Sequence, residues 1–322
     1  MLKSDELTVV PEPSALEARI TDYLDEKRAG GRSRKTMAVY TDLLREVLLP
    51  YCQKVGIREP AELTTRHLNA LSVGLLDGTG SRSGRALSKP SVDSYARTIN
   101  AFLGWLGKQG EASSARVQRQ RLPRRVVDTL SREDIRALED AASTERDKLI
   151  IRILADTGMR LGELLGLVGD AVRQEPGRKW YVKVLGKGGE ERMVPILPGL
   201  ASRIDRYARR TRKESASDLL FLGNRRSWRS GEYEPLTESG TEQMIRDLGL
   251  DVLGRRVYPH LFRHSFVTEQ ARRGMQPGLV AKIVGHKSLA MIDEVYQHLT
   301  VSDAHEALMR SLMDEGGRRS SG

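Results

Sequence analysis

Pro259-His260-Leu-Phe-Arg263-His264-Ser-Phe266 and, further along, Gly285-His286-Lys-Ser-Leu-Ala-Met-Ile-Asp-Glu-Val-Tyr296-Gln-His298 decide how this chain is read. At 3.6 residues per turn, His260, Arg263 and His264 share one helical face, a polar cluster among apolar neighbours. Two histidines at i and i+4 also have zinc-pair spacing. However, Leu261 stands where a zinc protease needs its glutamate and no third ligand suggests itself, so no metal is expected. In the second stretch, Pro277 near the first helical position and Gly285 just past the last bracket a helix, which leaves His286 beyond its end. Ser288 then caps another helix, which carries Tyr296. Upstream, Thr157-Gly-Met-Arg160-Leu-Gly-Glu163-Leu-Leu-Gly-Leu spaces Arg160 and Glu163 three apart, so on a helix they share a face and can pair.

Working outward, Ser131-Arg-Glu-Asp reads as an N-cap followed by acids in a first turn. Helices are predicted at about 132–142, 145–156, 198–212, 237–249 and 260–273. Trp180-Tyr-Val-Lys-Val-Leu and Glu191-Arg-Met-Val-Pro-Ile alternate in polarity across Gly186-Lys-Gly-Gly, the pattern of a β-hairpin. Residues 14–28 place Leu16, Ile20 and Leu24 on one stripe behind a Ser14 cap. Residues 33–55 read as one or two helices interrupted near Pro50, and helices at about 65–76 and 91–108 flank a Gly/Ser/Arg-rich loop at 77–88. Gly78, Gly80 and Gly84 follow no strand and make no dinucleotide fingerprint. The fold class is therefore mainly α. A small all-α domain over 14–110 is joined by a linker, 111–130, to a larger mostly helical domain over 131–322 that carries a small antiparallel sheet.

Composition narrows the function. Of 322 residues 39% are hydrophobic, enough for real cores, while no apolar run approaches the ~18 residues of a membrane span. The opening MLKSDELTVVPEP has acids and prolines where a signal peptide needs an apolar core, so a cytoplasmic protein is expected. Cys52 is the single cysteine, which excludes an intramolecular disulfide framework and a cysteine-cluster zinc site. The net charge of +10 points to nucleic acid rather than membrane. Within the linker, Arg116, Arg119, Arg121, Arg124 and Arg125 face only Glu111 and Asp128. Such a run is either a solvated, self-repelling tether or a strap along a phosphate backbone.

Taken together, the three stretches and the hairpin resemble the tyrosine recombinase (phage integrase) family over nearly the whole chain. The family's Gly-hydrophobic-Arg-x-x-Glu segment matches Gly158-Met-Arg160-Leu-Gly-Glu163, and its His-x-x-Arg-His segment matches His260-Leu-Phe-Arg263-His264. Its Gly-His followed by Tyr-x-His matches Gly285-His286 and Tyr296-Gln-His298, although His286 and Tyr296 stand ten positions apart, one more than in many members. Leu185-Gly-Lys187-Gly-Gly resembles the turn that presents the family's β-hairpin lysine, with Lys179 and Lys183 as weaker competitors. Residues 14–110 look like its helical core-site DNA-binding domain. With only 13 residues ahead of Ser14, a simple two-domain type without an arm-binding domain is expected.

The resemblance implies a metal-free, cofactor-free phosphoryl transfer. Tyr296 would attack phosphorus and hold the DNA end as a phosphotyrosine. Arg160 and Arg263 would grip non-bridging oxygens with paired hydrogen bonds, helped by His286. Lys187 would protonate the leaving 5′ oxygen, His260 would take the tyrosine proton, and Glu163 would orient Arg160 or His260. The implied partners are double-stranded DNA with inverted-repeat core sites and, on that DNA, a homo-tetramer, with no membrane partner. Residues 303–314 carry Ala304, Ala307, Leu308 and Leu312 on one helical face, which the resemblance reads as a C-terminal oligomerisation helix. Two other functions compete: an inactive DNA-binding protein of the same fold, and a topoisomerase-like or hairpin-forming enzyme with the same chemistry.

Overall fold

The computed structural model describes residues 13–81, 83–111, 115–121, 128–186, 189–285 and 290–297, with 303, 305 and 309. The chain divides into two compact units, Met1–Arg125 and Val126–Gly322.

The first unit is built from α1 (Ala15–Ala29), α2 (Arg34–Leu43), α3 (Leu49–Lys54), α4 (Thr65–Asp77) and α5 (Lys89–Lys108). Ser14, Ser33, Thr64 and Ser88 cap four of them by accepting a hydrogen bond from a backbone N–H three residues on. The break expected near Pro50 takes another form: α2 runs into α3 through a wide π-helical turn, Leu44–Leu48. Proline lacks an amide hydrogen and its ring crowds the carbonyl four residues back, so the hydrogen-bond ladder widens ahead of Pro50 instead of ending there. Leu16, Ile20, Tyr23 and Leu24 of α1 and Ile99, Phe102, Leu103 and Leu106 of α5 are buried in the core. The Tyr23 ring lies 5.4 Å from both Phe102 and Trp105, edge to face.

The first part of the linker is not a free tether. Ala115 and Val117 are buried in this core, and Val117 exchanges two hydrogen bonds with the Asn100 side chain, at 2.8 and 2.9 Å. Arg119 forks onto Asp93 at 2.9 and 3.1 Å. Arg121 is exposed, and Arg124 and Arg125 lie outside the described residues.

The second unit begins with α6 (Arg132–Ala141), held by a reciprocal Ser131–Asp134 capping box, and α7 (Glu145–Thr157). Leu149, Ile150, Ile151, Ile153 and Leu154 are all fully buried, while Lys148, Arg152 and Asp156 keep one stripe of α7 toward solvent. After the short α8 (Leu161–Leu165), strands β1 (Val172–Glu175), β2 (Lys179–Leu185) and β3 (Glu191–Ile196) form an antiparallel sheet in that order. Then come α9 (Pro198–Arg206), the two-stranded hairpin β4 (Leu222–Arg226) and β5 (Tyr233–Pro235), α10 (Glu238–Leu253), α11 (Pro259–Arg272), α12 (Pro277–Val284) and α13 (Ala290–Gln297). The sequence pattern did not reveal β1, β4 or β5, because these short strands are largely exposed and lack the apolar alternation that marks β2 and β3. α11 packs on α7, and α12 and α13 close over its far side through Phe266, Val280, Val284 and Ile292. Asp303 meets Arg272 of α11 at 3.3 Å; most of the 303–314 segment lies outside the described residues.

Candidate active site

Arg160 is the N-cap of α8, with extended backbone, and Glu163 is the third residue of that helix. The Arg160 amide donates to Glu163 Oε2 at 2.8 Å and its Nη1 donates to Oε1 at 2.9 Å. The pairing expected from their spacing is therefore a capping interaction that fixes the arginine at a helix start. Its other arm, Nη2, donates to the Gly285 carbonyl at 3.2 Å, which ties α8 to the end of α12.

A third residue completes this knot. Arg192 on β3 donates Nη1 and Nη2 to the two Glu163 oxygens at 2.9 and 2.7 Å, and its Nε donates to the Ile283 carbonyl at 3.1 Å. Burial alone would raise the Glu163 pKa, but hydrogen bonds from Arg192 and from the Arg160 amide hold it below the usual carboxylate value. Glu163 is thus an ionised acceptor for four N–H groups. Arg192 belongs to none of the three sequence motifs. The available signal was strand alternation: Arg192 pairs with Val184 and shares a face with Val194, both fully buried. A charge on the inward face of a hairpin has to meet a partner.

Arg263 sits in α11 with 6% of its surface exposed. Nη1 donates to the Gly158 carbonyl at 2.8 Å, while the buried Nη2 has no hydrogen-bond partner among the described residues. Burial first, and then the charge of Arg160, push its pKa down to about 10. Glycine is required at both carbonyls that receive these arginines. Gly158 has φ +59°, and a Cβ there would stand 2.7 Å from Phe266 Cδ1; Gly285 has φ +68°, and a Cβ would stand 2.9 Å from Arg192 Cζ. Gly285→Ala is expected to displace Arg192 and with it Arg160, lowering any DNA-cleavage rate at least tenfold while duplex affinity, measured by gel shift, changes less than threefold.

His260 opens α11 one turn before Arg263. Lost hydration, and then the charges of Arg263 and Arg160, push its pKa below the ordinary histidine value. Tyr296 lies on α13, packed against the Phe266–Val280 cluster. Its hydroxyl donates to the Met275 carbonyl, and burial raises its pKa. The structure brings Arg160, Glu163, Arg192 and Arg263 into one cluster with His260 at its edge, whereas the Tyr296 hydroxyl is engaged by the loop ahead of α12. His264 is half-buried on α11 and has a partner of its own. Lys187, His286 and His298 lie outside the described residues. Of the competing lysines, Lys183 is paired with Glu191 at 2.8 Å. Among the described residues no cluster of His, Cys, Asp or Glu could hold a metal ion, and no helix is long and apolar enough to cross a membrane.

An interior carboxylate anchors two arginines beside a third guanidinium whose Nη2 meets no acceptor among the described residues, and a tyrosine lies on α13, which packs against the same α11: the arginines form a donor set suited to an anion such as a phosphate. The chain belongs to the phage integrase family, whose profile matches residues 128–303, and within it to the tyrosine recombinases. Tyrosine recombinase XerA of Pyrococcus furiosus is 27% identical over 284 residues, covering 87% of this chain and 89% of its own. Tyrosine recombinase XerD of Corynebacterium glutamicum is 27% identical over 301 residues, covering 86% and 91%. The fold is that of the XerH site-specific recombinase in its post-cleavage complex with palindromic difH substrate (TM-score 0.66, 20% identity, 90% and 83% covered). It is also that of the Tn1549 transposon integrase in complex with a circular intermediate DNA (TM-score 0.69, 16% identity, 92% and 99% covered).

Proposed function

We propose that this protein is a site-specific recombinase that cuts and rejoins duplex DNA through a covalent 3′-phosphotyrosyl intermediate, without metal or ATP. The observation that carries this reading is the pair of neighbouring guanidiniums, Arg160 and Arg263, with the Arg263 Nη2 desolvated and without a partner among the described residues. Arg263 is buried beside the like charge of the part-exposed Arg160, with Glu163 offsetting part of the cost, and an anion bridging the two guanidiniums removes more of it. A phosphodiester gains a second increment of negative charge on its non-bridging oxygens in the pentavalent transition state, so the pair favours that state over the bound substrate.

The Tyr296 oxygen attacks phosphorus and the P–O5′ bond breaks. The phenolic proton passes to His260, and Lys187 protonates the departing 5′ oxygen. In rejoining, a 5′ hydroxyl attacks the phosphotyrosine and the protons return. Because one phosphoester is exchanged for another, no energy source is consumed. His286 adds a donor to the cage, and Glu163 fixes Arg160. The substrate is double-stranded DNA with inverted-repeat core sites, on which four copies assemble through the C-terminal segment 303–314. Arg119, Arg121, Arg124 and Arg125 contribute phosphate contacts from the linker, Arg119 to the extent that its fork with Asp93 leaves its guanidinium exposed. The inactive reading is not favoured, because the relatives that this chain resembles over most of their length are tyrosine recombinases.

The test is a nicked duplex carrying the protein's own site, in which strand loss traps the covalent adduct. The expected product is protein linked through Tyr296 to a 3′ phosphate; tight binding with no adduct from the wild-type protein would refute the reading. A pH profile adds a second check. His260 must be neutral to accept a proton, and its pKa lies below the ordinary value of about 6.5, so cleavage should hold through neutrality and fall only at more acid pH. His260→Gln should lower the plateau and remove that acid limb. An acid limb unchanged in this variant would assign the base to another group.

A further inference from the structure

The β4–β5 hairpin carries a surface that the catalytic cluster does not use. At its tip Trp228 is 87% exposed, so it buries almost none of its apolar surface and contributes little to folding. The tip is nonetheless tightly closed: the Ser227 amide donates to the Glu232 carbonyl and the Gly231 amide to the Ser227 carbonyl, both at 2.8 Å. Arg229 lies 4.9 Å over the Trp228 ring, and Arg226 and Lys213 lie 5.3 and 6.0 Å from the Tyr233 ring. Ser215 donates to the Tyr233 carbonyl at 2.7 Å, which joins the segment after α9 to the hairpin. Among the described residues Lys213, Arg225, Arg226 and Arg229 form no ion pair, although Glu214, Glu232 and Glu234 are close in the chain. Glu234 accepts from Ser230 at 3.2 Å. Trp228, Arg225 and Arg229 border an open cleft of ≈ 510 Å³ that ends at Thr237, the cap of α10.

The placement indicates the partner. β5 runs through Leu236 and Thr237 directly into α10, whose Glu238 carboxylate comes within 3.1 Å of the point where a Cβ on Gly162 would lie. Gly162 is in the first turn of α8, two residues after Arg160. The base of the hairpin therefore lies beside α8, the basic, aromatic tip extends from that base within the same unit, and a duplex is a continuous polyanion. A phosphate bound at Arg160 and Arg263 brings its neighbours alongside. We propose that the hairpin grips the DNA backbone beside the point of cleavage, with Arg225 and Arg229 on phosphates and Trp228 against the sugar edge of the groove. This rests on the recombinase reading, since it takes the occupant to be duplex DNA.

The experiment uses the full chain and a short mixed-sequence duplex, because phosphate contacts do not depend on sequence. Both Arg225 and Arg229 are exposed, so the double variant Arg225→Ala/Arg229→Ala should fold normally. Its log K against log salt plot should be shallower by about two units, with affinity at moderate salt reduced tenfold or more. Trp228→Ala should weaken binding severalfold and leave the slope unchanged. The tryptophan emission that Trp228→Phe removes should be open to acrylamide in the free wild-type protein and protected on DNA. An unchanged slope and affinity, or equal quenching with and without DNA, would overturn the proposal. Protection that grows with protein concentration in the absence of DNA would also overturn it, by assigning the tip to a second copy. Adduct formation by the wild-type protein on the nicked site is scored separately, so a failure of the hairpin and a failure of the recombinase reading give different results.

Discussion

Tyr296→Phe is expected to bind duplex DNA with wild-type affinity and to form no covalent adduct, a fall in cleavage on the order of 10⁴-fold or more, the scale on which enzymes lose activity without their nucleophile. The ring still packs beside Phe266 and Val280, so the fold of α11, α12 and α13 is kept. What disappears is the oxygen, together with its hydrogen bond to the Met275 carbonyl. Losing that bond should lower stability by about 1 kcal/mol. The Met275 contact also makes a kinetic point: the hydroxyl must exchange that acceptor for phosphorus before it can react. Trapping by the wild-type protein should therefore show a step whose rate does not depend on DNA concentration. Adduct formation by the phenylalanine variant would move the nucleophile elsewhere.

Arg263→Ala should lower the cleavage rate by roughly 10²–10³-fold, the scale of removing a transition-state donor, with a much smaller change in DNA affinity. Its buried, partly unsatisfied guanidinium beside Arg160 is poor for folding, so the better-packed Arg263→Met should melt close to the wild type while sharing the catalytic defect. That pairing separates the site from the scaffold: calorimetry reports the fold and adduct trapping reports the cage. A loss confined to affinity, with an unchanged rate at saturating protein, would show that Arg263 binds substrate and transition state equally. Arg263→Lys should recover little, since its compact ammonium lacks the planar fork that holds Nη1 on the Gly158 carbonyl while presenting Nη2.

Much of this molecule follows from neighbours in sequence. Ser14, Thr64, Ser131 and Thr144 start helices because their side chains cap amides three residues on, and the apolar spacing of α1 and α5 puts Leu16, Ile20, Ile99 and Phe102 inside. The Arg160–Glu163 pair and the polar face of α11 belong to the same category, since their geometry is set within one helical turn. Tertiary structure alone decided the remainder. Glu163 and Arg192 are 29 positions apart, and only the closing of β3 against α8 and α12 turns a strand residue into the clamp on a carboxylate. The Tyr296 hydroxyl reaches a carbonyl 21 positions away because α13 folds back over α11. Arg119, a linker charge that the sequence leaves open to solvent or to a phosphate backbone, finds Asp93 26 positions away on α5. Local periodicity and capping are encoded in adjacent side chains, whereas the partner of a buried charge is chosen by which element desolvates it, and that is known only when the chain has packed.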